Sequence, residues 1–349
     1  METTPRILII YTGGTIGMIE NPDTHSLQPF DFSHLIDNVP KLKKLHFIID
    51  NIQFKPPLDS SDMSPVHWQQ IARAIEEHYD RYDGFVVLHG TDTMSYTASA
   101  LSFMLENLAK PVIITGSQLP IGEVRTDGEE NLITAIQIAS ERTAGGSMPM
   151  VQEVAILFEN YLWRGNRSTK RSADNFNAFR SYNYQELAKI GLGIHYNTDS
   201  LRRADLRKRL RVHYNLDTSV MFIDLHPGIT EAVLRHQLSA PGIKGVVLKT
   251  YGAGNGPTAR WFIDAVTDAV QRGVVVTVVT QCANGGVNLC LYETGRKLSE
   301  TGIVSGGDLT SEAAITKLMH LLGLGLDNAE VARMMQKSLR GELTERVHC

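Results

Sequence analysis

Residues 7–17 read ILIIYTGGTIG, an apolar run of strand length, then Thr12 and Thr15 bracketing a glycine pair, then a third glycine. A buried strand that runs into a glycine turn opens a parallel α/β unit, and it suits either a dinucleotide-binding loop or a turn that exposes a reactive side chain. The dinucleotide fingerprint requires G-x-G-x-x-G and an acidic residue about twenty positions later. Gly13, Gly14 and Gly17 fail that spacing, and neither a Walker loop nor a G-x-S-x-G elbow occurs in the chain. What the turn offers is Thr15, exposed by its glycines.

Outward from this strand, apolar runs of strand length alternate with segments of helical period, the pattern of parallel sheets covered by helices. RILIIYT, HFIIDN, GFVVLHG, PVIITGS and EVAILFEN are the strands of the first half. Behind Ser64-Pro65, a good helix start, Trp68, Ile71, Ala72, Ile75 and Tyr79 share one face. A second helix is expected over TDTMSYTASALSFMLENL, with a stripe from Met94 through Leu101 to Leu105 and Leu108. The pattern loosens into polar, basic sequence before SVMFIDLHPG restarts it with the strands SVMFIDL, IKGVVLKT and VVVTVVT. The expected organisation is two α/β domains with mainly parallel sheets: a catalytic domain over 1–190, a linker over 191–216 and a second domain over 217–349.

At 349 residues, with 42% hydrophobic and 21% charged residues, the chain has the composition of an ordinary globular protein. A net charge of −4 gives no electrostatic footprint for nucleic acid, and the basic cluster LRRADLRKRLRVH interleaves no stacking aromatics. No apolar run has the length of a membrane span or a signal-peptide core, so a cytoplasmic protein is expected. Cys282, Cys290 and Cys349 form no C-x-x-C pair, which argues against a disulfide framework, and no H-E-x-x-H metal spacing occurs.

Ligands of open parallel sheets bind beyond the carboxyl ends of the strands. The first four tips here are YTGGT (Tyr11–Thr15), LDSSDM (Leu58–Met63, reached only after IQFKPP), HGTDT (His89–Thr93) and TGSQ (Thr115–Gln118). Any one alone would be ordinary turn chemistry, whereas four hydroxyl- and carboxylate-rich tips on one edge point to a site. Two threonines stand out, Thr15 and Thr91, the latter between Gly90 and Asp92. A threonine nucleophile needs a base. His89 is the histidine among the tips, with packing under the strand end as its more ordinary reading. Lys170, in WRGNRSTK, can take the same role if its environment favours the neutral amine.

YTGGTIGM, LDSSDM, LHGTDTMSYTASALSFMLENL, PVIITGSQLP and RGNRSTK together resemble the asparaginase/glutaminase family, and within it the cytoplasmic type I branch. The resemblance extends through HPGIT, YGAGN, TQCANGGVNL and GGDLTSEAAITKL, essentially the whole chain. It implies hydrolysis of L-asparagine to L-aspartate and ammonia without metal or organic cofactor, by subunits that form homodimers or homotetramers. Carried over, Thr15 resembles the nucleophile, and Thr91, Asp92 and Lys170 resemble a second catalytic triplet. Asp92 can also accept a hydrogen bond from the substrate's α-ammonium group. Asp59, Ser60 and Ser61 match the stretch that grips the α-carboxylate, and Ser117 matches a position near the reacting amide.

Two departures from the family pattern stand out. Many family members place a tyrosine in the loop after TGGTIG, but here the loop is MIENPDTHSLQPF, with Leu27 at that position. Tyr292, in NLCLYETG, matches a tyrosine of type I members and either relays the Thr15 proton or packs at a sheet edge; Thr24, His25, Ser26 or a water are the other sources of a relay. Lys249 stands where arginine is expected at a second, activating asparagine site, and lysine lacks the planar bidentate grip on a carboxylate. The rival readings are a broader glutaminase-asparaginase, an amidotransferase subunit, which would carry an extra N-terminal domain ahead of the catalytic strand, and an inactive amino-acid sensor, against which the intact threonine residues and Lys170 speak.

Overall fold

The run 7–12 becomes an inner strand of a sheet, next to its edge. A computed structural model describes residues 4–20, 27–29 and 39–345. In it, β1 (Arg6–Gly13) is buried from Ile7 onward and pairs in parallel with β2 (Ile48–Leu58) on one side and β3 (Gly84–Leu88) on the other. The sheet continues in parallel through β4 (Val112–Thr115) and β5 (Val154–Phe158). It finishes with three antiparallel strands, β6 (Tyr161–Arg164), β7 (Ala188–Ile190) and β8 (Ile194–Tyr196). The order is β8-β7-β6-β5-β4-β3-β1-β2. Every residue of β3, β4 and β5 is buried, as strands covered on both faces must be, which is why these runs are apolar without alternation.

From β1 the chain passes outward to β2, then returns across β1 to β3 and proceeds the other way through β4 and β5. The reversal places the topological switch point between β1 and β3, the position where open α/β sheets open a crevice. Thr15 follows β1 and Thr91 follows β3.

Helix α1 (Pro65–His78) starts with a capping box between Ser64 and His67 and buries the expected Trp68, Ile71, Ala72 and Ile75. Helix α2 (Met94–Met104) is buried on nearly every side, and it stops before the last members of the stripe read from the sequence. Leu105 and Glu106 leave the helix to pair antiparallel with Arg211 and Val212, and Asn107 turns with φ 59°. A strand pairing contributed from a hundred residues downstream overrides the helical period there. Helix α3 (Gly128–Ser140) packs against β3 and β4.

The second unit has four parallel strands in the order β9 (Val220–Asp224), β10 (Gly245–Thr250), β11 (Val275–Thr280), β12 (Val304–Ser305). Its helices are α4 (Glu231–Leu238), α5 (Arg260–Gln271), α6 (Glu293–Ser299), α7 (Ser311–Gly323) and α8 (Asn328–Met335). Ile223, Val246, Leu248, Phe262, Val276 and Leu298 belong to its core. The first unit runs to Ser181 and again over Gln185–Val212; the second takes Tyr182–Tyr184 and everything from His213. Of residues 191–216, which the sequence suggests as linker, 191–212 therefore belong to the first unit and 213–216 to the second. Cys282 is free and exposed.

Candidate active site

Gly14, at φ 90°, ends β1 and lets the chain turn into the short 3-10 helix Thr15–Gly17. A β-carbon on Gly14 would lie 2.5 Å from the amide nitrogen of Gly90. The two glycines thus bring the tips of β1 and β3 into backbone contact, and the next residue on each chain is a threonine. Thr15 is half-buried, and none of the hydrogen bonds among the described residues engages its hydroxyl.

The tip of β2 closes from the other side. A β-carbon on Gly90 would meet the Ser60 hydroxyl at 2.6 Å, and Thr93 Oγ1 donates to the Ser60 carbonyl at 2.7 Å. Asp59 accepts from the Ser61 amide and from its hydroxyl, both at 2.9 Å, and these bonds hold the Asp59 carboxyl below its ordinary range. Asp59 and the Ser61 side chain are thereby occupied in capping the turn Ser60–Asp62, which leaves Ser60 as the group of the three that faces the other tips.

Lys170 arrives from the far side of the sheet. Arg164, at the end of β6, is buried against Glu153 at 2.6 Å and donates to the Ser200 carbonyl at 2.7 Å, which fixes the start of the loop. The loop then packs on α2 through Gly165, whose β-carbon would meet Ala98 at 3.1 Å. Lys170 Nζ donates to Thr91 Oγ1 at 2.8 Å and to Asp92 Oδ1 at 2.7 Å. The lysine side chain is 18% exposed and the aspartate 66%, so the ammonium is shielded while one carboxylate edge faces solvent. Three residues that the sequence groups by resemblance alone, 79 positions apart at the extremes, converge at the Lys170 ammonium.

His89 has the ordinary reading. It is wholly buried, with Nδ1 at 2.7 Å from the Gly90 carbonyl and Nε2 at 2.8 Å from Thr97 Oγ1, which in turn accepts from the Trp68 indole at 2.9 Å. Burial pushes its pKa down to about 4. Neutral, with Nδ1 donating and Nε2 accepting, it pins the β3 tip to α1 and α2 and has no proton to exchange with Thr15 or Thr91. Ser117 is also buried, and its hydroxyl donates to the Leu119 carbonyl at 2.5 Å, shaping its own loop.

Gln118 is the group that sequence reading passes over. Its side chain reaches the Thr91 hydroxyl at 3.3 Å. A long polar residue closing the tip TGSQ is the signal that marks it. Tyr292 lies in the second unit as the N-cap of α6, 54% exposed. Thr24, His25 and Ser26 fall outside the described residues. Lys249, at the end of β10, pairs with Asp224 at 3.1 Å. Among the described residues no cluster of histidine, cysteine or carboxylate side chains could hold a metal ion, and no helix is long and apolar enough to cross a membrane.

Residues 6–202 match the family profile described as "Asparaginase, N-terminal", and residues 219–335 match "Glutaminase/Asparaginase C-terminal domain". Among curated proteins, L-asparaginase 1 of Escherichia coli K12 is 42% identical over 340 residues, 97% of this chain and 98% of its own. The L-asparaginase of Thermococcus kodakarensis is 37% identical over 295 residues, 82% of this chain and 84% of its own. The solved structure of L-asparaginase I from Vibrio cholerae superposes with a TM-score of 0.88 at 40% identity, covering 98% of this chain and all of that one.

Proposed function

The chain belongs to the asparaginase family across both of its domains, and we propose that it hydrolyses L-asparagine to L-aspartate and ammonia with Thr15 as the nucleophile. It is an amidohydrolase. The observation that carries the assignment of roles is the pair of short bonds from Lys170 to Thr91 and Asp92. In this reading Thr15 Oγ attacks the side-chain amide carbon of the substrate. Collapse of the tetrahedral adduct breaks the C–N bond, ammonia leaves with a proton, and a β-aspartyl ester remains on Thr15. Water then cleaves the ester, returning the threonine hydroxyl and releasing aspartate.

Thr91, polarised by Lys170, handles the proton traffic of these steps. Asp92 serves two charges, the lysine on Oδ1 and the substrate α-ammonium on its solvent-facing edge. Ser60 faces the α-carboxylate. Tyr292 is the proposed relay for Thr15, on the strength of the resemblance. A cytoplasmic homodimer or homotetramer is the assembly we propose, without metal or organic cofactor. The Lys249–Asp224 pair supports hyperbolic rather than asparagine-activated kinetics, because the lysine charge is already engaged.

Ammonia release from asparagine and glutamine, measured side by side, tests the reading. A hydrophobic pocket separates substrates differing by one methylene by about 1–3 kcal/mol, so preference for asparagine is expected at roughly 10- to 200-fold in kcat/KM. Release from neither amide would reject it.

A further inference from the structure

Gln118 holds the Thr91 hydroxyl in one orientation, and its own carboxamide has no freedom to turn over. One end of that amide faces the Asn175 carbonyl at 3.0 Å and the Ala173 carbonyl at 3.4 Å. Two carbonyl oxygens accept only, so that end is the NH2 group and the other end, facing Thr91, is the oxygen. The hydroxyl of Thr91 must then donate to Gln118 Oε1, and its lone pairs are left for Lys170 Nζ, which donates to it.

The backbone beneath Gln118 is fixed as firmly. Asp127 accepts the Gln118 amide on both carboxylate oxygens at 3.0 Å and the Leu119 amide at 3.1 Å. Asn131 donates to Asp127 at 3.3 Å and to the Gly116 carbonyl at 2.9 Å, and accepts from the Glu159 amide at 2.9 Å. Gln118 therefore ties together the β4 tip, the hydroxyl after β3 and the loop that follows Lys170.

We infer that Gln118 is a positioning residue: as an obligate acceptor it keeps the Thr91 proton directed away from Lys170 and the Thr91 oxygen presented to the lysine. The inference rests on Thr91 and Lys170 being catalytic. It predicts an effect on turnover with little on binding, because Ser60 and Asp92, which meet the substrate's charged ends, are not bonded to Gln118.

The test is a double-mutant cycle in the full chain, read as kcat and KM for asparagine. Gln118→Met keeps the length and deletes the acceptor, and kcat should fall about 10²-fold, the scale of a misplaced catalytic group, with KM changed less than about threefold. In a Thr91→Val background the same change should cost nothing further, since no hydroxyl remains to orient. A purely structural tether of the 173–175 loop would cost as much in either background, and additive losses or a rise in KM alone would overturn the inference. If Gln118→Met does not fold, Gln118→Ala enters the same cycle. Near-normal kcat in Thr91→Val alone would instead reject the catalytic assignment of Thr91, a failure distinguishable from that of Gln118.

Discussion

Gly14 and Gly90 touch through their backbones at the switch point of the first sheet, and each is followed by a threonine of the site. The contact has no room for a side chain on Gly14, and φ 90° there is a conformation that residues with a β-carbon rarely adopt.

Gly14→Ala should therefore lose activity beyond its loss of stability. Holding a non-glycine residue at this φ costs on the order of 1–3 kcal/mol, and relieving the overlap with Gly90 pulls the two tips apart. Urea unfolding should show that destabilisation, while kcat falls by at least an order of magnitude in the folded fraction. An alanine variant with normal kcat would mean that the spacing of the tips is irrelevant to turnover.

Lys170→Met and Thr91→Val should each reduce kcat by roughly 10²–10⁴-fold, the range for a positioned proton-transfer group. Because the lysine acts through the hydroxyl 2.8 Å away, the double variant should be little worse than either single one. Multiplying losses would separate the two residues functionally.

His89 makes stability pH-dependent without making activity so. Its folded pKa of about 4 lies below the unfolded value of about 6.5, so the unfolded chain binds the extra proton between these values. The stability due to the neutral ring is complete above about pH 6.5 and lost as pH falls toward 4, a change of about 3 kcal/mol. Urea midpoints at pH 7 and pH 4.5 should show a smaller fall for His89→Gln than for the wild type, although the variant starts lower. Equal falls would contradict a buried neutral imidazole.

Lys317 and Glu342 form a fully buried pair at 2.6 Å that ties α7 to the C-terminal segment. Glu342 also accepts the Leu339 and Arg340 amides, and these bonds with the ammonium hold its carboxyl below the ordinary range. Lys317→Met leaves that carboxylate uncompensated and should cost about 3–5 kcal/mol, whereas Lys317→Met with Glu342→Leu should recover part of the loss. Thermal melts of the two variants decide between this and a pair of negligible weight.

Strands β1, β3, β4 and β5 are legible because burial on both faces writes uninterrupted apolar runs, and even the long approach through IQFKPP to the β2 tip can be followed to Leu58. The end of α2 cannot, since Leu105 keeps the helical period and only its partner Val212 makes it a strand. Residues 191–216 mislead in the same way: their polar composition reads as linker, but Ile194–Tyr196 within them completes the sheet edge by pairing with β7. At the site, residue types at the tips marked Thr15, Thr91 and Lys170, while the meeting of Lys170 with Thr91 depends on the path of a loop anchored by Arg164 and Glu153. Gln118 was visible only as one more polar tip residue, because the carbonyls that orient it come from 55 and 57 positions away.

The central claim is that the substrate is carried on Thr15 as an ester. Acid quenching of the full chain during turnover of asparagine, followed by proteolysis and mass spectrometry, tests it most directly. An aspartyl adduct should map to the peptide containing Thr15, be absent from Thr15→Val, and accumulate in Lys170→Met if deacylation is slowed more than acylation. An adduct on Thr91, or steady ammonia release by a folded Thr15→Val variant at a near-normal rate, would contradict the account.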